Sequence, residues 1–592
     1  MRGNFRWLAW TVFAALGMGA LWCCRTEVSD GLDEEISAAG GSGNENVGES
    51  HSLGTTLAAI GYGYRTNPFV DLIRSGDRFF SGTAEEWRDG RELDLRPDGY
   101  PARLAEGQFA RTFLIGGNDP HVGGEVVVLY EGEGQLEYFG GVEGVERGEG
   151  RDVVTLRERD GLWLEMHATD PADPIRNLRV LMPGGRCADD GTKACKSDGE
   201  CSERCVPFEE NYEREPFHPT FLAEHAPFDV VRFMDWMETN RVRGDESPRP
   251  FWQVREWDDY PGVEYAQWVR VPVDVMVDLA NTIDASPWFN IPHQASDAFV
   301  RAFAERVEER LDPELSVYVE YSNEAWNDIF VQSQEINGLG CRELSDDPEG
   351  ECDHDQDGTL CEYSDWNATQ ERCVGYGQRY FARRTAQIGA IWGEVFDGDP
   401  RVVIVLATQI GSLEHRGDVM LNHEVPSLGP VFEHIDAVAV APYFGGEPPD
   451  SVDEAFARAA LPGGDETYAV LLGEEPDGGP LHWIVRDMHT LRDHEPWSHL
   501  PLLAYEGGQH YLSLGDSSKS EMLYAINRDP RMGELYDEYL RRWAGLTDGG
   551  LFLHFCSPSA WSEWGTWGSK EYQGQPLSEA PKHQALLRYL GE

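Results

Sequence analysis

Eight short apolar segments, most of them separated by helix-length stretches, constrain the fold of this chain more than any other feature. Most are continuous apolar runs, as in parallel strands buried on both faces. Between them lie helical patterns such as 296–311, where Phe299, Phe303 and Val307 share one face and Ser296 suits the N-cap. The alternation predicts an α/β fold of the (β/α)₈ barrel type. The segments are 52–63, 228–236, 273–281, 316–324, 402–408, 435–443, 501–508 and 549–557.

The barrel pattern is interrupted after its first strand. Residues 83–180 alternate apolar and polar positions around glycine-containing turns, as in 125–141 and 152–170. This alternation is typical of antiparallel sheets. We predict an antiparallel β-sandwich inserted between barrel segments 51–82 and 181–592. The alternative is an independent N-terminal domain, with the first barrel strand elsewhere in the sequence.

The N-terminal segment resembles an export signal. Residues 1–24 place Arg2 and Arg6 before an apolar run that is too short to span a membrane. Cys23 and Cys24 end that run and indicate a lipoprotein signal as the alternative to a cleaved peptide. Residues 25–50 are rich in Glu, Gly, Ser and Asn, which predicts a flexible linker. We expect an exported protein, extracellular or attached to the cell envelope, without a transmembrane helix.

Charge and cysteines restrict the partners and the compartment. The formal net charge of −56 argues against nucleic acid, because phosphate contacts need a basic face. Eight cysteines form two groups, and Cys556 is left over as an expected buried thiol. Irregular spacings favour disulfides over zinc sites in an exported chain, although the pairing cannot be derived. The two groups are Cys187, Cys195, Cys201 and Cys205, and Cys341, Cys352, Cys361 and Cys373.

The second cysteine group contains an acidic loop. Asp353, Asp355 and Asp357 occupy positions 1, 3 and 5 of a calcium-loop pattern, with glycine at position 6. Position 12 is Ser364, where a bidentate Glu is expected. The loop therefore predicts a structural calcium site, and the alternative is an acidic loop held by disulfides.

Two carboxylates end apolar strands, at the barrel edge where catalysis takes place in this architecture. Glu324 follows the fourth strand and Glu506 the seventh. Glycosidic cleavage needs one acid to protonate the leaving oxygen and one carboxylate to meet the charge at the anomeric carbon. Polar and aromatic side chains at the strand ends could bind the sugar: Arg232, Trp236, Trp288, His293, Asn323, Trp326, Tyr443, Gln509, His510, Trp561 and Trp564. Glu320 points deeper into the barrel, and we expect it to be structural and paired with an Arg.

The motifs "YSNE" before Trp326 and "YEGG" at strand seven resemble the retaining glycoside hydrolases of clan GH-A. The resemblance implies that Glu324 is the acid/base and Glu506 the nucleophile. It also implies that Asn323 binds the sugar 2-hydroxyl and that Tyr443 bonds the nucleophile. Arg232, His293 and Trp561 match subsite positions of the clan more loosely. The segments "VVRFMDWM", "PWFNIPH" and "VYVEYSNEAWN" also resemble large exported bacterial proteins described as carbohydrate-active or cellulose-binding, and the resemblance covers most of residues 215–565.

Two functions remain open from the sequence. The first is a secreted glycosidase that cleaves a β-linked polysaccharide or oligosaccharide with retention and needs no cofactor for catalysis. The alternative is a non-catalytic carbohydrate-binding or cell-surface adhesive protein on the same barrel. A third interpretation, a calcium-dependent module of the envelope, rests on the acidic loop alone. The sequence does not give the oligomeric state.

Overall fold

The computed structural model describes residues 29–41, 52–117, 123–242, 254–353, 358–361, 366–473, 478–513 and 515–591. The predicted signal segment 1–24 lies outside the described residues. None of the helices in the described ranges combines the length and the apolar character needed to cross a membrane.

A closed barrel of eight parallel strands forms the larger part of the chain, as predicted. The first strand, Leu53–Thr56, pairs with both the second and the eighth, so it closes the barrel. The first strand is therefore the segment upstream of the insertion. Barrel strands one to eight are Leu53–Thr56, Val230–Arg232, Ser286–Ile291, Val317–Tyr321, Val402–Ala407, Ala437–Val440, Leu502–Ala504 and Phe552–Phe555.

The third strand differs from the prediction. The segment 273–281, expected to be a strand, belongs to the helix Val273–Ile283, and the strand follows at Ser286–Ile291. Asp274 and Asp278 are one helical turn apart and bind Arg306 and Arg310 of the next helix. Apolar residues around these two aspartates gave the appearance of a strand, but the charged pair repeats with a helical period.

The barrel helices pack on the outer face of the strands. The helix Asp297–Arg310 confirms its predicted cap and face: the Ser296 hydroxyl accepts from Phe299 N at 3.1 Å, and Phe299, Phe303 and Val307 are buried. Burying each such side chain contributes about 1.5–3 kcal/mol. The longer helices are Ser29–Gly41, Pro219–His225, Val273–Ile283, Asp297–Arg310, Val331–Leu344, Trp366–Val395, Leu413–Leu421, Pro480–Asp493, Ser517–Arg528, Pro530–Thr547 and Pro581–Leu590.

A β-sandwich stands between barrel strands one and two, as predicted. One sheet contains Phe80–Gly82, Phe109–Ile115, Leu162–Thr169 and Gly134–Gly140; the other contains Arg176–Leu181, Gly124–Glu131, Arg151–Leu156 and Val142–Arg147. Leu114, Leu164, Val126 and Val154 from the two sheets share one core. The sandwich therefore has its own hydrophobic core.

The two chain segments that join the sandwich to the barrel are bonded to each other. Met182 N donates to Val70 O at 2.9 Å, and Val180 N donates to the Asp71 carboxylate at 2.9 Å. Asp71 also lies 3.5 Å from Arg179. The entry and the exit of the insertion thus form one paired connection.

The cysteines form four disulfides, as predicted. The pairs are Cys187–Cys201, Cys195–Cys205, Cys341–Cys352 and Cys361–Cys373. These pairs use the thiols that a zinc site would need. Cys556 is a free, buried thiol, also as expected.

Part of the predicted linker is helical. Ser29–Gly41 forms a helix that buries Leu32 and Ile36, which are one turn apart. His482 Nε2 lies 2.9 Å from Asp33, and Arg541 donates to the carbonyl of Ala39 at 3.1 Å. The composition of this segment predicted a flexible linker. Leu32 and Ile36 instead pack the segment against the barrel helices.

Candidate active site

The ends of barrel strands four and seven each carry a buried glutamate. Glu324 lies three residues beyond the end of strand four at Tyr321, and Glu506 lies two residues beyond the end of strand seven. Glu324 is 9% exposed and Glu506 is 6% exposed. Ser322 and Glu324 have φ angles of 61° and 42°, a left-handed conformation that side chains rarely adopt. Such backbone strain concentrates at functional sites.

Arg232, at the end of strand two, connects the polar groups beneath this rim. Its side chain is fully buried. The guanidinium binds Glu506 at 2.9 Å and Glu320 at 2.8 Å, and it donates to Asn323 Oδ1 at 2.6 Å. One cation therefore orients two carboxylates and the amide beside Glu324.

Glu320 is the expected structural carboxylate. It is fully buried and accepts hydrogen bonds from Arg232, from Trp288 Nε1 at 2.8 Å and from Asn290 Nδ2 at 2.8 Å. Burial raises the pKa of Glu320, while Arg232 and the other donors lower it. Donors surround the group, so it holds Arg232 in place and leaves no face for a substrate.

Glu324 is surrounded differently. Its carboxylate accepts from Asn327 Nδ2 at 2.8 Å and from the Tyr505 hydroxyl at 3.2 Å, and both donors are neutral. Burial, reinforced by the negative charge of Glu506, raises the pKa of Glu324 to about 8. A carboxyl in this setting holds its proton at neutral pH, as a general acid requires.

Glu506 has a cation against it. Burial raises the pKa of Glu506, Arg232 opposes that rise, Glu320 adds to it, and a hydrogen bond from Tyr443 lowers it. The two rim glutamates interact strongly, so their protons leave in two coupled steps. Since only Glu506 contacts a guanidinium among these two, it is the one that ionises first.

Asn323 lies beside Glu324, where the sequence placed it. Its Oδ1 binds Arg232, and its Nδ2 donates to Asn240 Oδ1 at 3.0 Å. Asn240 Oδ1 also accepts from Gln332 at 2.7 Å. The Asn323 amide is thus fixed in orientation before any ligand binds.

An aromatic group flanks Glu506. The Tyr443 ring lies 4.8 Å from His510, and Trp567 Nε1 donates to His510 Nδ1 at 3.0 Å. Because Nδ1 accepts, the neutral ring carries its proton on Nε2. Burial lowers the pKa of His510 to about 4, so the ring is neutral at physiological pH. Phe555 packs against Tyr443 and Trp567.

Besides Arg232, which is fully buried beneath the rim, three predicted sugar contacts lie in the interior. Trp236 is 1% exposed among core aromatics, and its Nε1 donates to Ala58 O at 3.1 Å. Trp288 is fully buried in the barrel, where it binds Glu320. Gln509 is fully buried, and its amide binds Thr566 and Tyr511. Proximity to a strand end in sequence did not reveal which way these side chains point.

The other predicted aromatic residues remain half-buried near the strand ends. Trp561 Nε1 donates to Gly568 O at 3.1 Å, and Lys582 Nζ lies 4.9 Å from its ring. Trp564 packs over Gly515. Trp326 lies in the turn that follows Glu324. Their contact with a sugar stays a prediction.

His293 follows strand three and contacts a different glutamate, Glu335, at a polar cavity. Its Nε2 lies 2.8 Å from Glu335, and its carbonyl accepts from the Tyr321 hydroxyl at 2.8 Å. It lines a polar cavity of about 680 Å³ together with Arg255, Arg342 and other residues of the neighbouring helices. A role for His293 in a subsite stays a prediction.

Tyr505, Asn327 and Trp567 were missed by sequence reasoning. Tyr505 is fully buried in the barrel interior, yet its hydroxyl reaches Glu324. Asn327 follows Glu324 at a spacing of three, which a turn brings back to the carboxylate. Trp567 continues the three-residue spacing of Trp561 and Trp564, and this repeat was the available signal.

The predicted calcium loop is only partly described. Asp353 is buried, and its carboxylate accepts from Gly358 N at 2.9 Å. Asp355 and Asp357 lie outside the described residues. The calcium site therefore stays a prediction.

No protein-family model and no curated protein matches the sequence. Solved structures do match. A fungal β-1,4-galactanase is 12% identical, with 63% of this chain and 92% of that chain covered and a TM-score of 0.32. A GH5 lichenase from Caldicellulosiruptor sp. F32 is 12% identical, with 69% and 92% covered and a TM-score of 0.30.

A two-module structure covers more of the chain. The CBM22-1–GH10 modules of Clostridium thermocellum endo-1,4-β-D-xylanase 10B are 8% identical, with 89% of this chain and 97% of that chain covered and a TM-score of 0.33. These matches are glycosidases, the class that the motifs at strands four and seven resemble.

Proposed function

We propose that this chain is a retaining glycosidase that hydrolyses a β-linked polysaccharide or oligosaccharide. The observation that carries the proposal is the unequal pair at the rim. Glu324 has a pKa raised to about 8 beside neutral donors, whereas Glu506 is bound to Arg232. Two carboxyl groups whose surroundings favour different protonation states are typical of acid and nucleophile assignments.

In the first step, the Glu506 carboxylate attacks the anomeric carbon while Glu324 gives its proton to the leaving oxygen. A glycosyl ester on Glu506 forms as the glycosidic bond breaks. The ester no longer carries the negative charge that helps to raise the pKa of Glu324. Glu324 then takes a proton from water, which attacks the same carbon and releases Glu506.

The surrounding residues have separate roles in this proposal. Arg232 and the Tyr443 hydroxyl orient Glu506 and keep it ionised before attack. Asn323, fixed by Arg232 and Asn240, presents its amide next to Glu324 for a sugar hydroxyl. The half-buried rings of Tyr443, His510 and Trp567 supply a wall for the pyranose.

The same proposal includes export. Four disulfides suit an oxidising compartment, and the N-terminal signal pattern agrees with secretion or with attachment through a lipid at Cys23 or Cys24. No cofactor takes part in the chemistry proposed here. A calcium ion at the loop of Asp353 would be structural.

Substitution of each glutamate tests the assignment. We expect Glu506→Gln to lower kcat on aryl β-glycosides by about 10⁴-fold or more, because no nucleophile remains. Glu324→Ala should lose activity mainly on substrates with poor leaving groups, and added azide should restore turnover of an activated substrate. Azide would attack the glycosyl ester on Glu506 from the face that water uses, so the azide product should keep the anomeric configuration of the substrate, and NMR would detect it.

Asp487→Asn is the matched control. Asp487 is also a buried carboxyl, with a pKa raised to about 7 by burial, but it binds the backbone amides of Gly411 and Leu413. We expect this variant to keep wild-type kcat/KM. Full activity of Glu506→Gln, or first-formed product of inverted configuration, contradicts the proposal. Polysaccharide affinity with no turnover of any β-glycoside would favour the non-catalytic alternative.

A further inference from the structure

A row of aromatic rings crosses the outer face of one sandwich sheet. Phe113, Trp163 and Phe139 lie directly opposite one another on three neighbouring strands. The Phe113 and Trp163 rings are 6.2 Å apart, and those of Trp163 and Phe139 are 5.7 Å apart and stacked. Trp87 packs on Phe113 and Trp163 from the edge, at 5.3 and 5.7 Å. We call these four residues, with Tyr62, the aromatic strip.

The strip is not part of the sandwich core. The core side chains of these strands, such as Leu114, Leu164 and Tyr138, alternate with the strip residues and face the second sheet. Trp87 is 36% exposed and Phe139 is 37% exposed, and the other strip rings are half-buried. A contiguous exposed aromatic surface on a folded domain marks an interaction site.

The strip continues onto the rim of the barrel. Tyr62 belongs to the loop after barrel strand one, and its ring stacks on Phe113 at 4.7 Å. Tyr64 in the same loop is 43% exposed, and its carbonyl accepts from Ala560 N at 2.8 Å. Ala560 lies in the loop after strand eight, which also carries Trp567. A backbone hydrogen bond therefore joins the loop that carries Tyr62 to the loop that carries Trp567.

We propose that the aromatic strip binds a β-linked polysaccharide chain, the same chain that the rim cleaves. This inference rests on the proposed function for the identity of the chain. Pyranose rings with equatorial substituents have flat C–H faces that pack on aromatic rings, and neighbouring rings with centres 4.7–6.2 Å apart offer successive contacts of this kind. The net charge of −56 favours a neutral chain over a polyanion.

Polar groups border the strip and suit the hydroxyls at the edges of such a chain. The Arg88 guanidinium lies 3.9 Å from the ring centre of Phe80, beside Trp87, and 60% of its side chain is exposed. Beneath the rings, Arg111 binds Glu165 at 2.7 Å and donates to the carbonyl of Trp87 at 2.8 Å. Trp87 is thus fixed against the sheet, so a ligand meets a preformed surface.

Binding can be measured without turnover in the Glu506→Gln background. The probes are mixed-linkage β-glucan, β-mannan and xylan in affinity gels, and insoluble cellulose in sedimentation assays. We expect Phe139→Ala and Trp87→Ala to weaken binding to the best probe about fivefold each, because each removes one stacking contact. Phe139→Trp keeps a ring and should keep the affinity. Val145→Ala removes an exposed apolar side chain from the opposite sheet and should change nothing.

Both alanine substitutions are at exposed positions, and thermal unfolding would verify that the variants fold. Unchanged affinity in Phe139→Ala and Trp87→Ala overturns the inference, and so does the absence of binding to any probe. If sedimentation analysis shows a self-association that Phe139→Ala abolishes, the strip is a contact between copies and the inference is wrong. Turnover of small aryl glycosides needs only the rim, so its failure would instead contradict the proposed function.

Discussion

Strand four and the turn that follows it carry two glutamates with opposite surroundings. Glu320 lies inside the barrel under a guanidinium, an indole N–H and an amide, whereas Glu324 lies at the rim with a hydroxyl and an amide. Both carboxyl groups are removed from water. Since both are buried, the charge of the nearest donor decides which carboxyl is a structural anion and which is a proton donor.

Removing the interior glutamate should have the largest effect. Glu320→Ala leaves Arg232 with one carboxylate fewer and opens a polar cavity, so we expect the free energy of unfolding to fall by about 3–5 kcal/mol. Urea denaturation followed by tryptophan fluorescence would measure it. Glu324→Ala should cost far less, because it removes no ion pair. Equal losses in the two variants would abolish the distinction between the interior and the rim.

Glu324 at the rim should make the free energy of unfolding depend on pH. The folded protein holds a proton on Glu324 up to about pH 8, whereas an unfolded Glu releases it near its usual pKa of about 4.3. Its contribution to stability is therefore complete at low pH and is lost as the pH rises through 8. Glu324→Gln should match wild type at pH 4 and exceed it by ~2–5 kcal/mol at pH 9. Unfolding at both pH values would test this, and a constant difference contradicts it.

Tyr505→Phe should give the smallest effect. The Tyr505 hydroxyl donates to Glu324 and lowers its pKa, so its removal should raise that pKa further. The alkaline limb of the pH–rate profile should move to higher pH by less than about one pH unit. Tyr100→Phe removes a buried hydroxyl in the sandwich and serves as the control. A shift to lower pH would mean that Tyr505 does not act on Glu324.

The sequence predicted what depends on local pattern. The buried parallel strands, the alternating insertion and the disulfides, though not their pairing, were predicted, and Glu324 and Glu506 stood out because each follows an apolar strand. The strand predicted at 273–281 was wrong because aspartates at helical spacing lie within an apolar run. The flexible linker predicted over 25–50 was wrong at residues 29–41. The composition there is polar, but two apolar side chains are buried and hold the helix against the rest of the protein.

The rest depends on contacts between distant segments. Trp236 and Gln509 follow strand ends and Trp288 lies within strand three, and tertiary packing turns all three inward. The aromatic strip could not be predicted either, because its rings come from separate strands and from the loop of Tyr62. Register across a sheet, which a single sequence does not reveal, brings such residues together.

The paired connection at Val70–Asp71 and Val180–Met182 has a consequence for how the two binding surfaces cooperate. Modules joined by one flexible linker sample many relative positions, and their effective local concentration falls as the linker lengthens. Here two hydrogen-bonded chain segments join the sandwich to the barrel, so little linker freedom remains. A polymer bound to the sandwich would reach the rim in one fixed register. The distance between the aromatic strip and the two rim glutamates would then determine where the polymer is cut.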